Sequence, residues 1–178
     1  MENYAKVMLY AYPFLETVDK DYEDHIRNKA VLSYDSKRTA AQLAEYIAGE
    51  IIVKRNLQAL KQDLEKVLDK LDDEEKRLVE IRYFGKRKQL RDFFKSEGGA
   101  TWSEGKYFRR QRRLGEKLAA MMRSVGLTEE RYCQEFAQVD IFKRIARIVE
   151  EGRDKKIADA EKQAANLKCG MRNCGGVL

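Results

Sequence analysis

Leucine and valine return every seven residues through the middle of this chain: Val53, Leu60 and Val67 form one series, and Leu57, Leu64 and Leu71 form another. Two interleaved series of that period put apolar side chains on one face of a long helix, here running from about Thr39 to Lys70. Charged residues make up 37% of the chain and proline occurs once, a balance that suits long solvated helices better than sheets. The expected class is all-α. At 178 residues the chain can form one domain with a sizeable core, or a small domain with an extended helical arm. The heptad seam has two uses open to it. Packing against the N-terminal helix of the same chain is the expected one, on general grounds of bundle packing. The other is a coiled-coil homodimer through 53–71, although Glu50 occupies the seam position one heptad before Leu57.

Ahead of the seam, Tyr4, Val7, Met8, Tyr10, Phe14, Leu15, Val18, Tyr22 and Ile26 lie at mostly helical spacing. Pro13 should bend or split this segment, because it removes a backbone donor and crowds the preceding turn. In "SYDSKRT", Asp35 or Ser36 is expected to cap the long helix. Beyond the seam, "LDDEEKRLVEIRYFGK" offers Asp72 and Asp73 as caps and an acidic first turn that suits the helix dipole. Leu78, Val79, Ile81, Arg82 and Tyr83 follow, and Gly85 should end that helix. "KQLRDFFKSE" predicts a further helix with Leu90, Phe93 and Phe94 on its buried side, broken by "GGAT"; Thr101 or Ser103 then caps the next.

That next helix carries most of the chain's surplus charge. From Thr101 to Arg123 there are five arginines and two lysines against Glu104 and Glu116, a balance of +5 in a chain whose total is +6. Tyr107, Gln111, Leu114, Leu118 and Met121 fall on one stripe with Phe108 and Met122 on its shoulder, while Lys106, Arg109, Arg110, Arg113 and Lys117 project away. The run lacks the interleaved acids that make i, i+4 pairs, so its like charges should repel until a polyanion relieves them. A short helix, a tight break and a basic helix is the layout of a helix-turn-helix, whose second helix enters the major groove. Double-stranded DNA is therefore the expected partner.

"LDDEEKRLVEIRYF" followed at a distance by "WSEGKYFRRQRRLGEKL" resembles region four of the bacterial sigma factors and the sigma-like regulators of phages. In that family the second helix commonly reads serine-glutamate, a small residue, basic residues, then lysine-leucine. Ser103, Glu104, Gly105, Arg110, Arg113, Lys117 and Leu118 match this order. The resemblance spans roughly Leu71 to Met121 and implies a tri- or tetrahelical domain that reads promoter-like duplex with the helix beginning near Thr101. The motif's first helix departs from the family: "KRKQLRDFFKSEGGAT" has no Glu-Ile-Ala and is several residues longer, which alters the angle between the two helices. Residues 1 to 70 lack the aromatic-rich basic segment with which a full sigma factor melts promoters. The analogy points to an accessory transcriptional regulator of prophages and mobile elements.

On this reading Lys106, Arg109, Arg110 and Arg113 face the groove, with at least one arginine on a base edge. Arg112, Lys117 and Arg123 bind phosphate, and the backbone amides of Ser103 and Glu104 hold another at the helix N-terminus. Trp102 plugs the core beside Phe93 and Phe94, or else stacks on a sugar or base. The implied organisation is an arm over 1–70, a helix-turn-helix domain over 71–125, C-terminal helices over 126–165 and a tail over 166–178. The C-terminal helices should begin after Thr128 and at about Asp140, the latter showing Ile141, Phe142, Ile145, Ile148 and Val149. Core packing accounts for those residues; a groove for RNA polymerase would use the same types, so polymerase remains open as a second partner.

No cofactor is implied. Cys169 and Cys174 are half a zinc site at most, and Cys133 reads as a small buried hydrophobe. The sole histidine, His25, sits in the charged stretch "YEDHIRNK", and the chain has no Gly-rich phosphate loop, nucleophile elbow or apolar carboxylate pair, so no enzyme is expected. No apolar run approaches the roughly 20 residues of a membrane span, and Glu2 replaces the basic start of a signal peptide, which predicts a cytoplasmic protein without membrane contact. Two alternatives use the same features: a helical protein that binds RNA or polyanions generally, and a coiled-coil adaptor with no nucleic-acid role.

Overall fold

The computed structural model describes residues 1–31, 39–84 and 104–152. Among them every regular element is helical, and no helix is long and apolar enough to cross a membrane. Helix α1, Asn3–Ala11, buries Tyr4, Ala5, Val7, Met8, Leu9 and Ala11, more than half of its circumference. Pro13 lacks the N–H that would continue the ladder, so the chain tightens into a 3₁₀ turn over Tyr12–Phe14 and resumes as α2, Leu15–Val31.

Helix α3, Ala40–Asp69, begins at a capping box in which the Gln42 N–H donates to Thr39 Oγ1 at 3.3 Å and the Thr39 N–H donates to Gln42 Oε1 at 3.0 Å. Thr39 is thus the cap in place of Asp35 or Ser36, which lie outside the described residues; only Thr39 has a glutamine at the N3 position to reciprocate. Thirty residues at 1.5 Å each make α3 roughly 45 Å long. Leu57, Leu60, Leu64, Val67 and Leu71 are buried, so the two heptad series merge into one stripe with alternating steps of three and four. The stripe belongs to the chain's own core, and Val53 packs at its margin.

α2 runs back along α3. Glu16 reaches Lys61 at 3.8 Å, and two turns later Glu23 reaches Lys54 at 3.0 Å, the register of an antiparallel pair. His25 Nε2 lies 3.0 Å from the Tyr46 hydroxyl near the far end of the same hairpin. Helix α4, Asp73–Tyr83, starts from a second capping box, Asp72 with Glu75, and buries Leu78, Val79, Ile81 and Tyr83. Helix α5, Glu104–Ser124, is followed by a short helix α6, Glu129–Arg131, capped by Thr128 and continuing as a π-helical turn over Tyr132–Phe136. A last helix, α7, spans 140–152.

One hydrophobic cluster runs from Tyr4 to Phe142. The segments expected as an arm, a helix-turn-helix unit and C-terminal helices therefore share a core: Tyr10 meets Tyr83 edge-on at 5.1 Å, Tyr4 lies 6.4 Å from Tyr132, and Phe136 packs on Phe142 at 5.5 Å. Cys133 departs from expectation. It is exposed, because the π turn aims Phe136 inward and leaves Cys133 on the solvent side. Ile148 is likewise exposed on α7, while Phe142 supplies that helix's deepest anchor.

A polar clamp joins α3 to α6. Arg131 donates to Asp63 at 3.0 Å and to Glu135 at 2.9 Å, and Lys66 donates to Asp63 at 2.9 Å. Burial works to raise the Asp63 pKa, but the bonds from Lys66 and Arg131 outweigh it and hold the carboxyl below its ordinary value. A depressed folded-state pKa gives stability that is complete above the unfolded value of about 3.9 and is lost as pH falls through the lower folded value. Urea unfolding should therefore show Asp63→Asn less stable than the native chain near neutrality, with the two converging as pH falls through the lowered pKa of the folded carboxyl. The seam gives a larger effect: Leu64→Ala should cost about 2–5 kcal/mol, whereas Ile52→Ala, on the exposed side of α3, should change stability by less than about 0.5 kcal/mol.

Candidate nucleic-acid interface

Helix α5 exists because its sequence separates into two faces. Tyr107, Gln111, Leu114, Leu118, Ala119 and Met122 are buried, at positions that climb one side of the helix by threes and fours. Gly115 lies on the same side, close under Met1. The helix ends where Gly126 adopts φ +79°, a left-handed conformation suited to glycine. The Leu127 N–H then returns to the Met122 carbonyl at 2.9 Å and the Leu127 side chain is fully buried, which completes a Schellman stop.

The expected stripe needs two adjustments at its edges. Met122 is a core residue and Met121 only partly buried, while Phe108 is 62% exposed beside the arginines. Helical spacing puts Phe108 near the angle of Gly115 and Ala119, but the neighbours that cover those two do not extend to it among the described residues.

Lys106, Arg109, Arg110, Arg112, Arg113, Lys117 and Arg123 are all exposed. Going round the helix, Lys106, Arg109 and Arg113 take the middle of the outward face, Arg112 and Arg123 one flank, and Arg110 and Lys117 the flank nearest α4. The expectation of an unrelieved cationic run is corrected on both flanks. Arg112 pairs with Glu116 within the helix at 3.3 Å, and Arg123 reaches Glu2 at 3.4 Å. Arg110 pairs with Glu74, and Lys117 with Glu75 at 2.6 Å, both acids coming from the first turn of α4. Arg109 turns back to the Gly105 carbonyl of its own helix at 3.2 Å. Ser103, the expected phosphate-binding N-terminus, lies outside the described residues, as do Gly85, Leu90, Phe93, Phe94, Thr101, Trp102, Cys169 and Cys174.

A polar pin fixes the rotation of α5 about its axis. The Arg82 guanidinium donates to Gln111 Oε1, and Gln111 Nε2 donates in turn to the Tyr107 hydroxyl at 2.5 Å. Arg82 also stands 5.6 Å from the Tyr83 ring centroid. Burial pushes the Tyr83 phenol up from its ordinary value, with Arg82 opposing, so the ring stays neutral at physiological pH. Sequence reasoning placed Gln111 on the stripe and Arg82 on α4 without joining them. The available signal was a glutamine at the centre of an otherwise apolar face, which requires a buried partner.

Together these contacts present a cationic surface: a helix held to the core by six buried side chains, two of which also belong to the polar pin, with its basic residues exposed on the opposite side. Among the described residues no group of three His, Cys, Asp or Glu could hold a metal ion. No protein-family model, curated protein or solved structure matches the chain.

The pin can be tested directly. Gln111→Leu keeps the apolar shape but removes the acceptor for Arg82 and the donor to Tyr107. It should cost about 1–3 kcal/mol in a urea titration, while Gln111→Glu, which keeps an acceptor beside the cation, should recover part of that loss.

Proposed function

We propose that the protein is a DNA-binding transcriptional regulator that lays the outward face of α5 against duplex DNA. The observation that carries this reading is the combination on one helix of a buried stripe and an opposite face bearing Lys106, Arg109 and Arg113. A stripe sunk in the core holds the helix as a rigid rod, and a rod of this diameter fits the major groove of B-form DNA. Cations spaced by three and four along it track phosphates on one side and reach base edges at the centre. The resemblance of residues 71–121 to sigma region four supports the same assignment. The chemistry asked of the site is recognition; no bond-making step is assigned to it.

Fluorescence anisotropy with labelled duplex from the region upstream of the coding sequence tests this, titrated across salt beside a scrambled duplex and a structured RNA. The native duplex should bind most tightly, with affinity falling steeply as salt rises. The triple variant Lys106→Ala, Arg109→Ala, Arg113→Ala should keep its helical circular dichroism and reduce the salt slope by about 3. Equal affinity for all three probes would replace sequence reading by general polyanion binding. No binding at low salt would leave a helical adaptor.

A further inference from the structure

The acidic first turn of α4 faces the basic helix, and two of its glutamates each pair with one of that helix's cations. Lys117 Nζ is 2.6 Å from Glu75 Oε2, and Arg110 is paired with Glu74. These are unlike the Arg112–Glu116 pair, whose side chains are 84% and 63% exposed; Glu74 and Glu75 are 25% and 22% exposed and lie between the helices. The geometry behind them is fixed. α4 buries Leu78, Val79 and Ile81, and α5 buries Leu114 and Leu118, in the same hydrophobic cluster, so each helix is held by the core rather than by these ion pairs. Rotation of the side chains alone is enough to exchange partners.

We infer that Glu74 and Glu75 are internal phosphate mimics that occupy Arg110 and Lys117 in the free protein and must be displaced before DNA can use these two cations. This rests on the DNA-binding reading above and adds a determinant to it. The site has two classes of cation. Lys106, Arg109 and Arg113 form the outward strip that meets the duplex first. Arg110 and Lys117 are a reserve that engages only when a phosphate is placed closely enough to outcompete a carboxylate already in position. A weakly placed anion leaves the pairs intact and gains little, whereas a well-seated duplex gains both contacts. The glutamates thereby lower affinity for arbitrary polyanions more than for the correct site, a use of competing charge to sharpen selection.

The exchange leaves α4 intact. Glu75 Oε2 accepts from the Asp72 N–H at 3.2 Å as part of the capping box, and glutamine fills the same role, so Glu75→Gln removes the charge and keeps the cap.

The decisive experiment compares anisotropy titrations of the full chain, the double variant Glu74→Gln, Glu75→Gln, and a remote double variant Asp24→Asn, Glu45→Gln that removes the same charge from the exposed side of α2 and α3. Probes are a labelled duplex of the upstream region and its scrambled counterpart. The α4 variant should bind the scrambled duplex about three- to tenfold more tightly, with a salt slope steeper by about 1 to 2, and should gain less on the native duplex. The remote variant should change either probe by less than about twofold. Equal gains from the two variants, or no gain from the α4 variant while the full chain binds DNA, would overturn the mimicry. Absence of binding by every form would overturn the DNA-binding reading itself, a result distinct from either.

Discussion

The arrangement of the molecule depends on the burial of α1. A helix of nine residues is too short to hold its shape in water, and this one is stabilised by enclosing six of its side chains. Its neighbours come from distant parts of the chain. Tyr10 contacts Tyr83 on α4, Met1 lies over Gly115 and Glu2 reaches Arg123 on α5, and Tyr4 faces Tyr132 in the π turn. The first residues of the chain thus seat the basic helix that lies more than a hundred positions further on. Residues of 1–70 and of α5 thus share one core, and removing α1 would uncover the underside of α5.

Charge is organised by the same economy. The sequence Asp-Asp-Glu-Glu at 72–75 first solves a local problem, since the opening turn of a helix presents unpaired N–H groups and a partial positive charge. Asp72 and Glu75 close the capping box, and the turn's carboxylates sit favourably in the dipole field. Because α4 packs beside α5, the same turn faces Arg110 and Lys117. One short acidic run starts a helix, orients it and screens one flank of its neighbour. A helix with seven cations in one stretch would otherwise be destabilised by its own repulsion.

Much of this was legible in the sequence, for reasons that differ from element to element. The heptads at 53–71 and the stripe through Tyr107, Leu114 and Leu118 were readable because a helix repeats its geometry, so spacing alone identifies the inward side. The helix starts at Asp72, offered together with Asp73, and after Thr128 were readable because capping is decided within four residues; Asp72 is the cap and Asp73 the first helical residue. The cap of α3 was misplaced because Asp35, Ser36 and Thr39 are all good capping types, and Gln42 decides among them. Edges of stripes were less legible: Phe108 and Met122 are both hydrophobic, and which is covered depends on how far the neighbouring helices extend. Cys133 required the π turn, which shifts side chains off ordinary helical phase. The pairs of Glu75 with Lys117 and Arg82 with Gln111 join residues 42 and 29 positions apart, and no local pattern encodes such a meeting.

What remains is why a helix should be both core and surface. A basic segment that ordered only on meeting DNA would lose backbone entropy at the moment of binding, of order 1–2 kcal/mol for each residue fixed. In α5 that cost is met during folding, by Leu114, Leu118 and Met122 in the core and by the Arg82–Gln111–Tyr107 pin against rotation. On the proposed reading the cations would enter an encounter already spaced, with only their own rotamers left to settle. The same core brings acids to the cations: Glu74 and Glu75 on α4 pair with Arg110 and Lys117, and on the proposed reading they would set a threshold for the partner. On that reading, pre-organisation of the cationic face and the means to restrain it would follow from the same buried stripe.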